Sequence, residues 1–341
     1  MPARNEEQCL GRCLESLVAQ QGIRFEILVV DDGSSDRTHA IAESFAQAQV
    51  MDAGALPQGW TGKNHAAWQG AQKARGRWLL FTDADTVHEP GSLAAAVAEA
   101  EQHGAALLSY SPRQEVEGFW EKALMPVVFA DLARTYPPSR VSDPQSPVAA
   151  ANGQYLMISR EAYDAVGGHR GVAGTLLEDV AIARRVKESG RVLRFRYGGE
   201  AVRTRMYRSL GQMWEGWTKN LALLFPHPIR LAVLRGLEFL ILLGAGVIAL
   251  GTFWLDFGRA MLALLVLAIA WIAFLGRIRR AHFGAWENDL ALFGLPLFAV
   301  LLVRSQRHHR SRGSVEWKGR TYPQGVCEPV GGMPAAEARP L

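Results

Sequence analysis

RWLLFTDAD, residues 77–85, places two carboxylates directly after a short apolar run. Apolar runs of this length, without polar alternation, are typical of a β-strand that is buried on both faces of a parallel sheet. FEILVV at 25–30 is a second run of this kind, and it ends at the polar turn DDGSSD, residues 31–36. Because α/β sheets bind ligands at the carboxyl ends of their strands, the sequence predicts two acidic turns that face one crevice.

Helical patterns alternate with these strands. Glu7–Gln20 places Leu10, Leu14 and Leu17 on one face of a helix. The same reasoning predicts, in chain order, helix Arg37–Gln47, helix His65–Ala74, helix Leu93–Gln102, strand Ala105–Tyr110 and helix Leu176–Ser189. Strands and helices in alternation are typical of an α/β fold, which is the fold class that we expect.

The composition divides the chain into two parts. The 341 residues are 49% hydrophobic and 21% charged, and their mean hydropathy is zero. Most of the acidic residues lie before residue 230, whereas residues 236–303 are overwhelmingly apolar. The mean therefore describes a polar domain joined to an apolar one, and the composition excludes a disordered chain, a collagen, a coiled coil and a disulfide-rich scaffold.

Charge and cysteine content narrow the range of partners. The formal net charge is +4, and six of the basic residues lie in 304–320. Because much of the positive charge is concentrated in this one segment, we predict no nucleic-acid partner. The three cysteines, Cys9, Cys13 and Cys327, form no CxxC pair. We therefore expect neither a structural zinc nor a secreted disulfide framework, and a reducing compartment fits the cysteine content best.

Two apolar segments are candidate membrane spans. Residues 236–255 carry one charge, Glu238, and residues 260–276 carry none, while a perpendicular span needs about 20 residues. Arginines flank the outer ends of this pair, at 230, 235, 277, 279 and 280. The positive-inside rule then predicts that both outer ends, and the polar domain with them, are cytoplasmic. A buried helical hairpin in a soluble domain is the alternative.

A third apolar segment, 290–303, has only fourteen residues and contains Gly294 and Pro296. We expect it to be short or re-entrant, because a full crossing would place the basic residues after it outside the cell. The predicted organisation is a domain at 1–230, a membrane region at 231–303 and a basic cytoplasmic tail at 304–341. This is the organisation of a multi-pass protein of the cell membrane.

Three local patterns can carry chemistry, and each has a structural alternative. Asp83 and Asp85 can bind a hard divalent cation, or they can simply end a strand in an acidic turn. Lys63, in GWTGKN at 59–64, precedes a helix where positive potential suits a diphosphate, but the loop lacks Walker spacing and fits a plain turn equally well. Glu178 and Asp179 either stabilise a helix N-terminus or supply a general base.

Seven motifs in one order give these patterns a common interpretation. They are PARNEE at 2–7, VVDDGSSD at 29–36, WTGKN at 60–64, FTDAD at 81–85, ANGQYLMISREAYDAVGGH at 151–169, LEDV at 177–180, and RMYRS with WEGWTKN within 205–220. In this order they resemble the membrane-associated family-2 glycosyltransferases, whose nucleotide-sugar domain is of the Rossmann-like GT-A type. The resemblance is strongest to bacterial enzymes that glycosylate carotenoid- or hopanoid-type lipids, and more distant to ceramide glucosyltransferase.

The resemblance implies a role for each matching residue. A nucleotide-sugar donor would contact Pro2, Ala3, Arg4, Glu6, Asp31, Asp32, Lys63, Asp83, Ala84 and Asp85. A divalent metal, Mg²⁺ or Mn²⁺, would be held by Asp83 and Asp85. The acceptor would contact Asn152, Gly153, Gln154, Trp217 and Lys219. Asp179 would be the general base, with Glu178 as its neighbour.

The implied reaction is transfer of a sugar, with inversion, from a nucleotide-sugar donor, UDP-linked by resemblance, to a membrane lipid acceptor. Polysaccharide synthesis, a nucleotidyl- or phosphotransferase, and a degenerate non-catalytic membrane homologue are the alternatives. Two departures from the family pattern bear on them. Residues 2–6 read as the loop that follows a first strand, yet only Met1 precedes them, so we expect a missing strand or a start that lies upstream. The family's Q/R-x-x-R-W signature is replaced by QMWEGW at 212–217, which disfavours processive polymer synthesis.

Overall fold

The computed structural model describes residues 1–311, 314–317 and 320–323. The chain divides into two compact units. The α/β unit consists of Met1–Glu115, Tyr136–Met206 and Gly313–Leu341, and the helical unit consists of Val116–Thr135 and Tyr207–Arg312. The single boundary that we predicted at residue 230 differs from this division, because the helical unit already begins at Tyr207 and also takes a segment from the middle of the predicted domain.

The strands form several small sheets rather than one continuous sheet. They are β1 (Pro2–Ala3), β2 (Ile27–Asp31), β3 (Ala48–Asp52), β4 (Trp78–Phe81), β5 (Thr86–His88), β6 (Leu107–Ser111), β7 (Arg113–Gln114), β8 (Leu156–Ser159), β9 (Leu193–Tyr197), β10 (Val202–Thr204), β11 (Ser314–Trp317) and β12 (Arg320–Pro323). The hydrogen-bonded orders are β1-β2-β3, β4-β8-β6-β9, β5-β10-β7 and β11-β12. The first is parallel, whereas β8 runs antiparallel to both β4 and β6.

The helices of the α/β unit alternate with these strands, as the sequence predicts. In chain order the helices of the molecule are α1 (Leu10–Val18), α2 (Thr38–Glu43), α3 (Gly62–Lys73), α4 (Ser92–Gln102), α5 (Phe119–Thr135), α6 (Pro138–Val141), α7 (Arg160–Ala165), α8 (Gly168–Gly171), α9 (Glu178–Glu188), α10 (Leu210–Leu224), α11 (Pro228–Thr252), α12 (Phe257–Ile278) and α13 (Ala285–Ser311). Of these, α5 and α10–α13 lie in the helical unit. The predicted α/β fold class is confirmed, with a mixed rather than a purely parallel strand arrangement.

The two acidic turns predicted from the sequence lie at strand ends whose apolar residues are buried. Val29 and Val30 of β2 are fully buried, and Asp31 is the last residue of that strand. Leu79 of β4 is 5% exposed, and Asp83 follows two residues after the strand ends. Burial of these runs fixes the position of the polar residues that come next.

The residues that we predicted to be a loop after a missing strand are themselves a short strand. Pro2 and Ala3 form β1, which pairs in parallel with β2 at Val30 and Asp31. The backbone N–H of Val30 donates to the carbonyl of Met1 over 2.9 Å, and Ala3 is 2% exposed. The prediction of a loop here is corrected, because these residues supply an edge to the parallel sheet.

Three helices among the described residues are long and apolar enough to cross a membrane. They cover Pro228–Thr252, Phe257–Ala281 and Ala285–Arg310, with mean hydropathies of 2.1, 2.4 and 1.5 over their most apolar windows. The third corrects the sequence interpretation, because the interruption expected at Gly294 and Pro296 does not break the helix. Residues 304–311, assigned to the tail, continue this helix, and the rest of the tail apart from β11 and β12 lies outside the described residues.

The helical unit pairs its buried charges. The guanidinium of Arg235 donates to both carboxylate oxygens of Asp131 over 2.8 Å each, and Arg277 donates to Glu238 over 2.8 Å. The side chains of Arg235 and Asp131 are only 7% and 2% exposed. Buried charges that lose their partners are costly, so this group ties α5, α11 and α12 together.

Candidate active site

Short elements position the chemically active side chains of the α/β unit. Asp83 lies in the turn between β4 and β5, and Asp179 is the second residue of α9. Lys63 is the second residue of α3, whose N-terminus is capped by the hydroxyl of Thr61 accepting from the N–H of Asn64 over 3.2 Å. Gly153 lies in the turn before β8. Strand ends and helix N-termini thus provide all four residues.

Lys63 connects two carboxylates from different elements. Its Nζ lies 2.9 Å from Oδ1 of Asp83 and 2.9 Å from Oε1 of Glu178. Burial alone would lower the pKa of Lys63, but the charges of Asp83, Glu178 and Asp179 raise it well above its usual value. The ammonium therefore stays charged at neutral pH and holds the two acids together.

Asp179 lies beside this ion pair with both carboxylate oxygens fixed. Oδ2 accepts the backbone N–H of Gly153 and Oδ1 accepts that of Val180, each over 2.8 Å. Burial, and next the negative charge of Glu178, raise the pKa of Asp179 to about 7, while Lys63 opposes the rise. This carboxyl can therefore exchange a proton near neutral pH, which a general base requires.

His169 closes another wall of the pocket as a neutral ring. Burial, followed by the charge of Lys63, lowers the pKa of His169 to about 3. Its Nδ1 lies 2.9 Å from the hydroxyl of Tyr163, and its ring packs against Phe81 with centroids 4.5 Å apart. These contacts give His169 a structural role in the wall.

Gly153 lies close to the charged groups of the pocket. A Cβ atom at this position would lie 3.1 Å from Nζ of Lys63, 3.4 Å from Oε1 of Glu178 and 3.5 Å from Oδ2 of Asp179. A side chain here would therefore press on the end of Lys63, and glycine avoids this crowding.

These side chains surround a small pocket that is partly open to solvent. Its lining residues are Pro2, Lys63, Ala67, Phe81, Thr82, Asp83, Gly153, Leu156, His169, Glu178 and Asp179. Six of them, Pro2, Lys63, Asp83, Gly153, Glu178 and Asp179, are among the site residues named from the sequence. The pocket joins an ammonium group, three carboxylates and a backbone N–H on one polar surface.

Sequence reasoning missed the residue that connects the lysine loop to the segment before Asp179. Asn64 is fully buried, and its Nδ2 donates to the carbonyls of Val172, Ala173 and Thr175 over 2.9 Å each. These carbonyls belong to the segment that leads into α9. Asn64 directly follows Lys63 in the WTGKN motif, so this motif is the sequence feature that could have indicated it.

The other predicted donor residues gather at the ends of β1 and β2. Arg4 donates to the carbonyls of Asp32 and Gly33. Oδ1 of Asp31 accepts from the backbone N–H and hydroxyl of Ser34, and Oδ2 lies 3.4 Å from Nδ1 of His39. Ala3, Glu6 and Asp32 lie in the same region, where the N–H of Glu6 donates to Thr38 over 2.7 Å and the N–H of Asp32 to Ala3 over 2.9 Å.

A second group of metal-type ligands lies at the same edge and was not predicted. Ligand atoms of Asp31, His39 and Asp52 lie within 4.8 Å of one another. Asp31 and Asp52 are register partners on β2 and β3, and Nε2 of His39 lies 3.4 Å from a carboxylate oxygen of Glu43. The register of two acid-terminated strands could have indicated this group.

Several predicted residues point into the interior or lie in the other unit. Ala84 is 1% exposed and belongs to the core around β2 and α1. Gln154 is buried and donates to the hydroxyl of Thr204 over 3.2 Å, while Oδ1 of Asn152 accepts the N–H of Gln154 over 2.9 Å. These contacts support the framework beneath the pocket, as does the carbonyl of Asp85, which accepts the hydroxyl of Thr204 over 3.2 Å.

Trp217 and Lys219 lie on α10 in the helical unit. Trp217 is 2% exposed and packs edge-on against Phe129 and Tyr207. This is the packing role that a tryptophan on an apolar helix face favours, and acceptor contact by these two residues stays a prediction.

Part of the chain matches a known protein family, and most of it aligns with curated relatives. Residues 1–167 match the family model described as "Glycosyl transferase family 2". The chain is 28% identical over 339 residues to "4,4'-diaponeurosporenoate glycosyltransferase" of Staphylococcus aureus strain MRSA252, and 29% identical over 338 residues to the protein of the same name from strain USA300. Each alignment covers 94% of this chain and 87% of the relative.

The fold agrees with a solved structure. The "Mannosyltransferase PcManGT from Pyrobaculum calidifontis in complex with GDP-Man and Mn2+" aligns with a TM-score of 0.53 and 17% sequence identity. The alignment covers 90% of this chain and 84% of the mannosyltransferase, which at this identity establishes the fold alone. Residues 1–167 therefore carry a glycosyltransferase family 2 domain, and the α/β unit that contains them has the GT-A fold.

Proposed function

We propose that this enzyme transfers a sugar from a UDP-linked donor to a membrane lipid, with inversion at the anomeric carbon. One observation carries the proposal. Nζ of Lys63 lies 2.9 Å from both Asp83 and Glu178, so the acidic turn expected at the donor and the acidic helix end expected at the acceptor meet in one pocket. The resemblance in motif order supports the same assignment of roles.

Asp179 is the proposed general base. Its carboxylate is fixed by the N–H groups of Gly153 and Val180, and its pKa of about 7 suits removal of a proton from a hydroxyl at neutral pH. As the acceptor oxygen attacks the anomeric carbon, its proton passes to Asp179. The bond from that carbon to the diphosphate oxygen breaks, and the electron pair leaves with the nucleoside diphosphate. A single displacement of this kind inverts the anomeric centre.

The donor set of the acidic turn fits a hard divalent cation. Asp83 lines the pocket and Asp85 lies two residues on, and carboxylate oxygens are the ligands that Mg²⁺ and Mn²⁺ prefer. When bound there, such an ion would neutralise charge on the donor diphosphate. Lys63 adds a fixed positive charge 2.9 Å from Asp83.

A lipid acceptor is supported by the relatives' name and by the helical unit. Helices α11 and α12 expose large apolar side chains such as Leu240, Ile248 and Ile272, which are 61%, 54% and 71% exposed. Surfaces of this kind suit a bilayer, and the arginines at the outer ends of this pair favour a cytoplasmic α/β unit. The acceptor would then keep its apolar tail in the membrane during transfer.

A donor screen tests the proposal. The full-length protein in detergent, with Mn²⁺ and a bacterial membrane lipid extract, is incubated with a panel of UDP-, GDP- and dTDP-sugars. We expect release of UDP together with a lipid whose mass has grown by one sugar residue. Release of pyrophosphate, or mass growth by many sugar residues, would replace the proposal with a nucleotidyltransferase or a polymer synthase. Absence of product from every donor would support the non-catalytic homologue.

A further inference from the structure

A buried polar cluster lies around the acidic turn. Thr82 and Thr86 flank the turn, and their hydroxyl oxygens are 2.9 Å apart. Nε2 of His88 lies 3.1 Å from the hydroxyl of Thr82 and 3.2 Å from that of Thr86. These three side chains and that of Thr204 are at most 4% exposed. Thr82 also lines the pocket.

The cluster holds main-chain carbonyls on both sides of the pocket. The hydroxyl of Thr86 donates to the carbonyl of Asp83 over 2.8 Å, and that of Thr204 to the carbonyl of Asp85 over 3.2 Å. The hydroxyl of Thr82 donates to the carbonyl of Gln154 over 2.9 Å. Gln154 follows Gly153, whose N–H holds the general base, so the cluster connects the two acidic halves of the site.

Counting hydrogens determines how the cluster must be protonated. Each threonine hydroxyl has one hydrogen, and the hydrogen bonds to the carbonyls of Gln154 and Asp83 use both of them, because a carbonyl only accepts. The two hydroxyl oxygens then face each other with no hydrogen between them. A hydrogen on Nε2 of His88, within reach of both oxygens, satisfies this arrangement. The Sγ of Cys13, a weaker S–H donor, lies 3.6 Å from the hydroxyl of Thr86 and 3.8 Å from the carbonyl of Asp83.

The opposite tautomer would be costly. Nδ1 of His88 is buried and has no hydrogen-bond partner among the described residues. A hydrogen there would be an unpaired buried donor, and Nε2 could then only accept, which would draw a hydroxyl away from its carbonyl. Burial lowers the pKa of His88 to about 4, so the ring carries a single hydrogen at neutral pH.

We propose that His88, protonated at Nε2, is a positioning residue that directs the hydroxyls of Thr82 and Thr86 onto the carbonyls of Gln154 and Asp83. The ring thereby fixes the turn carrying Asp83 and Asp85 against the peptide that holds Asp179. The consequence for donor binding rests on the proposed function. Outer partners of metal-binding groups typically change metal affinity or activity by about 10–100-fold when they are removed.

Two pairs of variants test the positioning role in the full-length protein. His88→Leu and Thr86→Val remove the hydrogen bonds, whereas His88→Gln keeps a donor near Nε2 and Thr86→Ser keeps the hydroxyl. Calorimetric titration of Mn²⁺ in the presence of UDP, or of GDP if UDP does not bind, gives the affinity of each. We expect the first variant of each pair to weaken Mn²⁺ binding about 10–100-fold and the second to restore it to within about threefold.

The same experiment has two outcomes that overturn the role. Either His88→Leu and Thr86→Val bind Mn²⁺ as the parent does, or His88→Gln and Thr86→Ser lose as much affinity as their partners. Melting temperatures of all four variants identify general unfolding. If His88→Leu does not fold, Thr86→Val and Thr86→Ser decide the question.

Nitrogen NMR of the protein with ¹⁵N-labelled histidine tests the tautomer independently of the reaction. The signals of His88 are assigned by their loss in His88→Leu or, if that variant is unfolded, in His88→Gln. We expect the pattern of a neutral ring protonated at Nε2, and the Nδ1-protonated pattern would overturn the proposal. A parent protein that binds Mn²⁺ with neither nucleotide refutes the proposed donor site, while the NMR result still decides the hydrogen-bond arrangement.

Discussion

Asp179 acquires the character of a base from where the chain places it. Its carboxyl is raised to a pKa of about 7 by burial first and by the charge of Glu178 second. Lys63 limits this rise and also fixes Glu178 in place. A surface aspartate with the same two hydrogen bonds would stay ionised far below neutral pH, so the burial of this helix end is what makes the residue useful.

Replacing Asp179 with Asn should remove the base while keeping the shape of the pocket. We expect turnover to fall about 10²–10⁴-fold, the range for loss of a general base. Binding of UDP with Mn²⁺, measured by calorimetry, should be retained, because Lys63 and Asp83 are unchanged. Asp164→Asn, at an exposed position of α7, serves as the control. Unchanged turnover in Asp179→Asn would refute its assignment as the base.

The pH profile offers a second residue-scale prediction. A base must be deprotonated to act, so kcat/KM should rise as the pH passes upward through about 7 and level off above it. Glu178→Gln removes a negative charge beside Asp179, which lowers the pKa of Asp179 and should move this rise to lower pH. Rates measured between pH 5 and pH 9 check the direction of the movement.

Glu161→Gln is the matched control for that profile. Glu161 is 88% exposed and pairs with Arg191 across 3.5 Å, so its charge is screened by water. Its profile should coincide with that of the parent. A Glu178→Gln profile that moves to higher pH, or does not move, would contradict the electrostatic account of Asp179.

The residues predictable from sequence are those that follow a recognisable run. Asp83 ends an apolar strand and Lys63 opens a helix, so their position could be predicted from neighbours along the chain. Asn64, His39 and His88 follow no apolar run, and their partners, 108, 8 and 6 residues away, become clear only in the folded chain. Ala84 is the opposite case. It lies in a recognised motif, but the motif does not reveal that its side chain packs in the core.

At the scale of elements, α13 shows how packing overrides a local breaker. Pro296 removes one backbone donor and Gly294 lowers helix propensity, so the sequence favoured an interruption. Ala291, Leu295, Phe298 and Leu302 are nevertheless all fully buried, and their spacing makes one continuous helical stripe. The apolar residues of this stripe are visible in the sequence, and their spacing could have predicted the 27-residue helix despite the proline.

Gly294 should be indispensable for the packing of α5 against α13. A Cβ atom there would lie 2.0 Å from the carbonyl oxygen of Ala123, which is main chain and cannot rotate away. We expect Gly294→Ala to destabilise the helical unit by about 1–3 kcal/mol, the usual cost of overpacking. Thermal unfolding of the protein in detergent, followed by circular dichroism, measures the effect.

Gly276→Ala on α12 is the matched control, because a Cβ atom there meets nothing within 4 Å. Alanine has the higher helix propensity, so this variant should unfold at the same temperature as the parent or slightly above it. If both alanine variants behave alike, the close approach of α5 and α13 is not what stabilises the helical unit.

At the scale of the whole molecule, the division into units was only half predictable. The apolar composition of residues 236–303 predicted most of the helical unit. The sequence did not indicate that α5 belongs to the helical unit, because Val116–Thr135 lies between elements of the α/β unit in the chain. Its buried residues, among them Leu124, Met125 and Val127, pack within the helical unit, and no local pattern distinguishes such a helix from one that covers a sheet.

This division predicts how the chain can be shortened. A chain ending at Met206 keeps α5 but loses its partner helices, so its apolar residues become exposed and we expect aggregation. Replacing Val116–Thr135 in addition with a flexible Gly/Ser linker of about 15 residues should give a monomeric protein. Size-exclusion chromatography without detergent distinguishes the two. A monomeric first chain would mean that α5 does not depend on the helical unit.

The apolar length of α12 has a consequence for the membrane that would suit this enzyme. Its charge-free residues, 260–276 between Arg259 and Arg277, extend about 26 Å at about 1.5 Å per residue, whereas a typical hydrocarbon core is about 30 Å thick. A spanning segment that is shorter than the core thins the lipid around it, and this adjustment costs free energy. As a spanning helix, α12 would therefore make transfer sensitive to acyl-chain length. Transfer in vesicles of shorter-chain lipids should exceed transfer in thick ones, independently of the chemistry in the pocket.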